Sequence, residues 1–386
     1  MTTVGPLYDV LIVGAGPVGL SLALALGRAG KSVLVLEKEK GLSQHSRAPA
    51  IWPRTQEVLS GLGVIERFHR EGTVLPEIRI WDADRDRPLL SLPLRELENE
   101  TSFPYFLILP QDRTERILYE ALSREATAVA KFGVQVTGLD QTASGVRVHC
   151  SDRGNAVIYE ARFAAGCDGA HSTVRPILNF SFPGMTYSVM AALADVRLGE
   201  ERDYPFPRIS DQKTLAIGVR IEKHLWRLIL PFSPQSGTAL DQRIEQSVRS
   251  LFAQNAYSVI WKSEFHLHRR ISSGFVKNRV VLAGDAAHLN SPVGGQGMNA
   301  GIQDSEILAR TLIQALAENN PVLLEFYEKN RMNAVRRGVN PFTNKLTQLL
   351  LFQGGRYVKL LFLVANGVFR VPLLRKAFLR RLAMVR

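Results

Sequence analysis

Three glycines near the N-terminus and one acidic residue have a spacing that suits nucleotide binding. Gly14, Gly16 and Gly19 form a G-x-G-x-x-G pattern after an apolar run, and Glu37 ends the next apolar run. Glycine permits a tight turn and a close approach to a pyrophosphate, and the following helix start carries partial positive charge. An acid at the end of the second strand is placed to bind ribose hydroxyls. The pattern predicts a dinucleotide site without distinguishing FAD from NAD, and a glycine-rich turn of another α/β fold stays an alternative.

Two later segments also contain glycine directly after a predicted strand. Cys167–Arg175 reads CDGAHSTVR after a predicted strand at Phe163–Gly166, and Gly284–Asn299 reads GDAAHLNSPVGGQGMN after another at Arg279–Ala283. In Gly284–Asn299, glycines let the backbone contact a flat ring, and the free N–H groups of a helix start stabilise negative charge. A charged loop after a strand, or a glycine-rich loop before an ordinary helix, is the simpler alternative for each segment. We refer to Gly14–Gly19 and these two segments as the first, second and third motifs.

In this order, the three motifs resemble those of the class A flavoprotein monooxygenases, the phenol and p-hydroxybenzoate hydroxylase group. The resemblance covers roughly residues 8 to 335. It implies the α/β fold of p-hydroxybenzoate hydroxylase: a Rossmann-type FAD-binding domain, an inserted antiparallel-sheet substrate domain and a C-terminal helical segment. We expect the FAD-binding domain at 1–179 and 269–335, the substrate domain at 180–268, and basic amphipathic helices at 336–386.

The resemblance also carries over the residues that bind FAD. It implies that Asp285 holds a ribityl hydroxyl, that Pro292 lies beside the isoalloxazine ring, and that Arg47 contacts the cofactor and helps to position NAD(P)H. An exposed loop arginine is the alternative for Arg47 and, more strongly, for Arg113. The full expected set is Gly14, Gly16, Gly19, Glu37, Arg47, Gln111, Arg113, Asp168, Gly169, Gly284, Asp285, Pro292, Gly295, Gly297, Met298 and Asn299.

The activity that the resemblance implies is hydroxylation of an electron-rich aromatic ring with NAD(P)H and O₂, through a flavin C(4a)-hydroperoxide. No second complete G-x-G-x-x-G is present, so NAD(P)H is expected as a transient co-substrate without a domain of its own. An FAD-dependent reductase of an isoprenoid or quinone, and a GDI-like or lipid carrier that retains only the fold, are the alternatives. Intact motif positions favour the hydroxylase.

The substrate is less well defined than the cofactor. The string PVGGQGMNAGIQD resembles the phenol and polyketide hydroxylase branch, but the thioredoxin-like C-terminal domain of phenol hydroxylases is not expected here. A lipophilic or polycyclic phenol is therefore expected. Four residues of the middle block are candidates for a general base, and none is preferred: Tyr187, Asp195, Arg220 and His224. His171 and His288 lie inside motifs, where loop packing and proton transfer are both open.

Hydrophobic periodicity predicts the elements that place the motifs. Strands are expected at Asp9–Val13, Lys31–Glu37, Val189–Val196, Thr214–Ile221 and Leu225–Leu230, and helices at Val18–Ala29, Asp241–Gln254 and from about Gly297 to Ala317. The first strand, helix and second strand form one βαβ unit. The middle block is expected to be an antiparallel sheet.

Charge is concentrated at the C-terminus. The net charge is +12, and the stretch 341–386 has nine basic residues and no acidic residue, interleaved with leucine, phenylalanine and valine. Helices packed on the body and a surface that meets an anionic membrane are both open. A membrane span is not expected, because no apolar run approaches about 20 residues.

Other classes of function have little support in the sequence. No basic-aromatic patch accompanies a nucleic-acid motif. Two cysteines provide neither a disulfide framework nor metal-ligand spacing, and we expect no metal site. With no signal peptide evident at the N-terminus, a cytoplasmic location with possible peripheral membrane contact is expected, and the oligomeric state stays open.

Overall fold

The computed structural model describes residues 3–43, 49–200, 205–212, 215–352 and 355–385. Its strands, in chain order, are β1 (Thr3–Val13), β2 (Val33–Glu37), β3 (Ala50–Ile51), β4 (Thr73–Leu75), β5 (Glu77–Asp82), β6 (Arg87–Pro93), β7 (Phe106–Ile108), β8 (Ala128–Phe132), β9 (Val134–Gln141), β10 (Val146–Asp152), β11 (Asn155–Gly166), β12 (Gly184–Leu198), β13 (Arg208–Ser210), β14 (Ala216–Glu222), β15 (Leu225–Phe232), β16 (Tyr257–Ile271), β17 (Val276–Lys277), β18 (Val280–Leu282) and β19 (His288–Leu289).

The helices are α1 (Pro17–Arg28), α2 (Pro53–Gly61), α3 (Ile65–Glu71), α4 (Gln111–Leu122), α5 (Val174–Ile177), α6 (Leu240–Phe252), α7 (Gly297–Glu318), α8 (Leu324–Ala334), α9 (Asn340–Leu351), α10 (Gly355–Val368) and α11 (Pro372–Ala383). A π-helical stretch at Val335–Val339 joins α8 to α9. The expected helices near 18–29, 241–254 and 297–317 are confirmed as α1, α6 and α7.

The first sheet has the order β17-β18-β11-β1-β2-β8, with β10 and β9 added beside β11. The pairs β18–β11, β11–β1, β1–β2 and β2–β8 are parallel. Residues Val10–Ile12 and Val33–Val35 are fully buried, as expected for strands covered on both faces. Helices α1 and α7 pack against each other beside the sheet, and the βαβ unit is confirmed.

The second sheet has the order β19-β16-β12-β15-β14-β13-β5-β6. Its long strands β12, β15 and β16 are antiparallel, which confirms the sheet expected from the middle block. Helix α6 covers one face, where the rings of Trp226 and Phe252 lie 4.7 Å apart between centroids. This sheet has its own apolar core, separate from that of the first sheet.

One part of the second sheet differs from the expected domain boundaries. Strands β5 and β6 come from the interval 1–179, yet β5 pairs with β13 through Trp81 and Asp82. The surrounding string WDADRDRP is polar and resembles a loop. Strand β5 itself alternates polar and apolar residues and pairs with β6, but its place beside β13 depends on a partner more than a hundred residues away, which local periodicity does not reveal. Strand β16 also crosses the boundary expected at 268–269.

Helices α9 to α11 cover a third apolar cluster. Leu379 and Leu382 of α11 are buried against Leu92, Leu97 and Phe106. Within the described residues, none of the helices combines the length and the apolar character needed to cross a bilayer.

Candidate functional site

The three motifs follow three neighbouring parallel strands. The first motif follows β1, the second follows β11, and the third follows β18. Backbone bonds continue the pairing into the motifs: Cys167 N donates to Val13 O (2.8 Å), and Ala283 N donates to Gly166 O (3.0 Å). Because the carboxyl ends of parallel strands share one edge, segments far apart in sequence meet in one crevice.

The first motif is tightly packed where its glycines require it. Gly14 has φ +105°, and a Cβ there would lie 2.5 Å from Cys167 O; a Cβ on Gly19 would lie 2.0 Å from Gly14 O. Both positions therefore exclude side chains. Glu37 accepts a hydrogen bond from Ala15 N at 2.8 Å. The acid expected to bind ribose thus also fixes the loop of the first motif.

Gly16 is different, because its open side faces no protein atom. A Cβ there would have no heavy atom within 4 Å, and α1 begins one residue later with no acidic residue in its first turn. The described surroundings leave free space in front of a helix N-terminus. That arrangement fits a pyrophosphate group, which needs backbone N–H donors and room for its oxygens.

The second motif contains a buried carboxylate oxygen without a protein partner. Asp168 Oδ2 accepts hydrogen bonds from Thr173 N (2.6 Å) and Val174 N (3.1 Å). Asp168 Oδ1 is buried and has no hydrogen-bond partner among the described residues. Beside it, Gly169 has φ +76°, and a Cβ at that residue would meet no heavy atom within 4 Å. A buried acceptor without a donor is costly, so this oxygen fits a ligand hydroxyl or an ordered water.

Arg175 connects the second motif to the third. Its guanidinium donates to Ala286 O (2.9 Å) and to Ala170 O (3.1 Å). It also stacks on the ring of Phe182 at 3.8 Å from the centroid. Burial lowers the pKa of Arg175 from its ordinary value. The arginine at the end of CDGAHSTVR therefore holds two loops in register.

A buried ionic network holds the third motif. Asp304 on α7 accepts hydrogen bonds from Gly284 N (3.0 Å), and its carboxylate contacts His288 Nε2 (2.7 Å) and Arg331 Nε (2.5 Å). Burial opposes ionisation, but Arg331 and His288 outweigh it and lower the pKa of Asp304 to about 2. His288 is 1% exposed, which favours the packing alternative for this residue. Asp285 stands exposed beside this fixed loop.

Sequence reasoning missed this network. Asp304 lies within the string PVGGQGMNAGIQD that carries the resemblance, and His288 lies within GDAAH. The motif contained the signal, but the pairing of an acid on α7 with a histidine before it depends on how the chain turns between them. Arg331, on α8, has no signal in the sequence.

The glycine stretch before α7 is held by two buried side chains. Asn299 accepts from Trp52 N (2.9 Å) and donates to Ala50 O (2.8 Å) and Gly295 O (2.7 Å). Trp52 Nε1 donates to Gly294 O (2.9 Å). The Asn299 side chain therefore supports the loop around the expected ring position. Its contact with FAD stays a prediction, as do those of Pro292, Gly297 and Met298.

Gln111 belongs to a second buried carboxyl site. Its Nε2 donates to Glu115 Oε1 (2.9 Å), and Ser43 N donates to Glu115 Oε2 (3.3 Å). Burial raises the pKa of Glu115 to about 7, although both hydrogen bonds oppose this. Sequence reasoning did not single out Glu115, although it stands in the string PQDRTERIL beside Gln111.

Of the two arginines expected near the cofactor, only Arg113 lies within the described residues. Arg113 forms an ion pair with Glu222 of β14 (2.9 Å) and so joins α4 to the second sheet. Its FAD contact stays a prediction. Arg47 lies outside the described residues.

Three of the candidate bases, Asp195, His224 and Arg220, lie in different parts of the middle block. Asp195 forms a buried two-point ion pair with Arg227 (2.8 and 2.7 Å), which occupies its carboxylate. His224 lies in the turn between β14 and β15 with φ +65°, and Arg220 lies on β14.

Tyr187 is the candidate with a path to the third motif. Its hydroxyl donates to Asn344 of α9 (2.7 Å), and burial raises its pKa. Thr347, one turn further along α9, donates to Ser291 just before Pro292. The Tyr187 side chain packs with Ala191 and Leu267 in a small apolar cluster beneath α9.

The C-terminal helices form one wall of the site. Gln296 Nε2 donates to Arg381 O (3.0 Å), and Leu346 and Leu382 lie beside Gly294. Several tail cations pair with acids of the body: Lys359 with Asp82, Asp84 and Asp211, Arg375 with Glu96, and Lys376 and Arg380 with Glu100. The tail therefore packs on the body, which was one of the two alternatives.

Comparison with known proteins agrees with this geometry. The family model described as "FAD binding domain" matches residues 7–340. Para-nitrophenol 4-monooxygenase of Pseudomonas sp. (strain WBC-3) is 30% identical over 319 residues, which are 80% of this chain and 79% of that protein. A 12-dehydrotetracycline 5-monooxygenase/anhydrotetracycline 6-monooxygenase of Streptomyces rimosus is 34% identical over 344 residues, 84% of this chain and 66% of that protein.

Solved structures show the same fold. The p-nitrophenol 4-monooxygenase of Pseudomonas putida DLL-E4 has a TM-score of 0.87 at 26% identity, and each chain covers 99% of the other. The anhydrotetracycline hydroxylase OxyS of Streptomyces rimosus has a TM-score of 0.83 at 29% identity, over 98% of this chain and 76% of that one. Aklavinone-11 hydroxylase, solved with FAD and aklavinone, has a TM-score of 0.80 at 25% identity, over 88% and 68% of the two chains.

Proposed function

We propose that this chain, which belongs to the FAD-binding-domain family and is a flavin-dependent aromatic monooxygenase, hydroxylates a phenolic ring with NAD(P)H and O₂. The observation that carries the proposal is the meeting of three motifs at one sheet edge, with an open helix start at Gly16 and an unpartnered carboxylate oxygen at Asp168. These features fit a long, polar cofactor that ends in a flat ring.

We assign the cofactor-binding roles along this edge. Gly14, Gly16 and Gly19 admit the pyrophosphate at the start of α1, and Glu37 binds a ribose hydroxyl while holding Ala15. Asp285 binds the ribityl chain, and the loop before α7 supports the ring. When bound, FAD supplies a two-electron acceptor for hydride and a centre for O₂ activation. The protein must orient the substrate and exclude water from that reaction.

We propose a lipophilic phenol, simple or polycyclic, as substrate. Relatives are named for para-nitrophenol and for anhydrotetracycline. The apolar cluster of Tyr187, Ala191 and Leu267 lies under α9, near the third motif. We propose that the Tyr187 hydroxyl contacts a substituent of the ring. Because burial raises its pKa, it stays protonated at neutral pH and acts as a hydrogen-bond donor and not as a base.

The nicotinamide co-substrate has a candidate docking place of matching charge. A cavity of about 430 Å³ is lined by Arg269, Arg270 and Arg336. None of these arginines forms an ion pair with a described residue. Arg270 Nη1 donates to Phe182 O (3.2 Å), and Phe182 stacks on Arg175 of the second motif. We propose that the cavity binds the pyrophosphate of NAD(P)H, whose two negative charges suit guanidinium groups.

Substitution at the cavity tests this assignment. Arg269→Gln is expected to raise the KM for NAD(P)H about tenfold at low salt while kcat stays near the parent value, because a phosphate contact is lost. Arg249→Gln, an exposed arginine of α6, serves as the matched control. Equal KM values for the two variants would remove the cavity from the proposal.

The experiment on the function itself is turnover by purified, FAD-loaded protein in air. NADH and NADPH oxidation is followed across simple and polycyclic phenols, with hydrogen peroxide and product mass measured together. Stimulated oxidation with a product that gains one oxygen atom supports hydroxylation. Reduction without an oxygenated product would favour the reductase, and protein that does not bind FAD would favour the carrier; no structural feature described above favours either.

The division into domains and the cellular location are proposals as well. We propose the division into a cofactor domain at 1–179 and 269–335 and a substrate domain at 180–268, with β5 and β6 attached to the substrate sheet. We also propose a cytoplasmic enzyme whose C-terminal segment contacts an anionic membrane peripherally, through the outer face of α10.

A further inference from the structure

The outer face of α10 carries a row of apolar side chains that are about half exposed. Tyr357, Leu360, Val364 and Val368 are 45%, 57%, 55% and 45% exposed. Their spacing of three or four residues places them on one side of the helix. The opposite side is anchored to the body, where Val358 is fully buried.

The row continues into the first turn of α11. Leu373 and Leu374 are 78% and 48% exposed. We call the six side chains the apolar stripe: Tyr357, Leu360, Val364, Val368, Leu373 and Leu374. Scattered exposed leucines are ordinary on a protein surface, but six exposed apolar side chains on two consecutive helices mark an interaction surface.

The charges that the C-terminal segment itself contributes beside the apolar stripe are all positive. Arg356 and Arg370 stand exposed next to it, and neither forms an ion pair with a described residue. No Asp or Glu follows Glu328 in the sequence. The buried tail cation Lys359, in contrast, is neutralised by acids of the body. The cations beside the apolar stripe are thus available to an external partner.

We propose that the apolar stripe docks on an anionic lipid surface. Apolar side chains of an interfacial helix enter the boundary between headgroups and acyl chains, while arginines at the rim meet lipid phosphates. A second copy of the chain is less suited to this face. An isologous contact would bring Arg356 and Arg370 against their own copies, and the C-terminal segment contributes no carboxylate to compensate.

This surface goes beyond the hydroxylation proposed above and does not depend on it. The apolar stripe lies on the side of α10 that faces away from the body, so its loss leaves the FAD site intact. Failure of docking and failure of hydroxylation therefore give different readouts, since the first is measured with vesicles and the second by turnover.

Vesicle sedimentation tests the docking. The full-length protein is mixed with phosphatidylcholine vesicles containing about 30% phosphatidylserine, and with pure phosphatidylcholine vesicles. The stripe variant Leu360→Ser, Val364→Ser, Val368→Ser is expected to lower the partition coefficient by about tenfold or more. A control variant, Val322→Ser with Phe326→Ser, removes side chains that are 60% and 65% exposed elsewhere, and should bind like the parent.

A charge variant separates the electrostatic contribution to vesicle binding from the apolar one. Arg356→Gln with Arg370→Gln is expected to lower partition roughly tenfold on anionic vesicles and to leave the weak binding to neutral vesicles unchanged. The proposal is overturned if the parent stays in the supernatant with anionic vesicles, or if the stripe variant binds as the parent does. A lipid-free dimer that the stripe variant abolishes would assign the face to a second copy instead.

Discussion

At the scale of single residues, two buried carboxyl groups beside the same site titrate in opposite directions. Asp304 is surrounded by His288, Arg331 and a backbone N–H, and its pKa falls to about 2. Glu115 has only neutral donors, from Gln111 and Ser43, and burial raises its pKa to about 7. Cationic partners outweigh desolvation in the first case and are absent in the second.

The sign of the Glu115 shift gives a pH prediction. Its folded-state pKa lies above the ordinary 4.5, so the folded protein binds more protons than the unfolded chain between about pH 4.5 and 7. Stability should fall as pH rises through this window, by up to about 3 kcal/mol. Glu115→Gln should remove this loss of stability with rising pH and so stabilise the protein at pH 8.

Urea unfolding at pH 5 and pH 8 measures the effect. The matched control is Glu120→Gln on the same helix, where the glutamate is half exposed and paired with Arg67. The control should show no gain of stability at pH 8. If Glu115→Gln unfolds with the same pH dependence as the parent, then Glu115 ionises normally in the folded protein.

At the scale of elements, one lysine of the tail helix α10 forms ion pairs with acids on and beside the second sheet. Lys359 lies among Asp82, Asp84 and Asp211, with Nζ 2.6 Å from Asp82 and 2.7 Å from Asp211. Asp82 is fully buried. Removing the cation leaves carboxylates buried together without compensation, which costs far more than losing an exposed ion pair.

Lys359→Met is therefore expected to destabilise the protein by about 3–5 kcal/mol and to loosen α10 from the sheet. Lys345→Met on α9 is the control, since Lys345 is exposed and should change stability by less than about 0.5 kcal/mol. Chemical denaturation and limited proteolysis are the measurements. Similar stability for the two variants would show that the three acids do not depend on Lys359.

Elements with a local pattern can be predicted from the sequence, and those with a distant partner cannot. Helix α7 is expected near 297–317 and spans Gly297–Glu318, because its glycines and apolar periodicity are local. The place of strand β5 in the second sheet escapes prediction because its partner β13 lies more than a hundred residues away in the sequence. The Asp304 network escapes it for the same reason, since Arg331 reaches it from another helix.

At the scale of the whole molecule, the C-terminal segment has two faces with different roles. One face packs on the third motif and on the body, through Gln296 and the paired cations. The other carries the apolar stripe. The basic composition of 341–386 could not decide between packing and membrane contact, because the acids that neutralise Arg375, Lys376 and Arg380 lie in the interval 96–100.

The motifs are visible in the sequence because each is a continuous string, and their meeting at one edge follows from the parallel order β18-β11-β1. The residues of the proposed substrate pocket, in contrast, cannot be recognised in the sequence. Its candidate residues come from β12, β16 and α9, and the path from Tyr187 through Asn344 and Thr347 to Ser291 exists only in three dimensions.

The measurement that tests the central claim most directly is the origin of the product oxygen. FAD-loaded protein is given NAD(P)H and a phenol that stimulates its oxidation, under O₂ enriched in the heavy isotope, and the product is weighed by mass spectrometry. The account predicts one heavy oxygen atom in each product molecule and none when only the water is labelled. A product that takes its new oxygen from water, or NAD(P)H consumption that yields only hydrogen peroxide with every phenol tried, would contradict it.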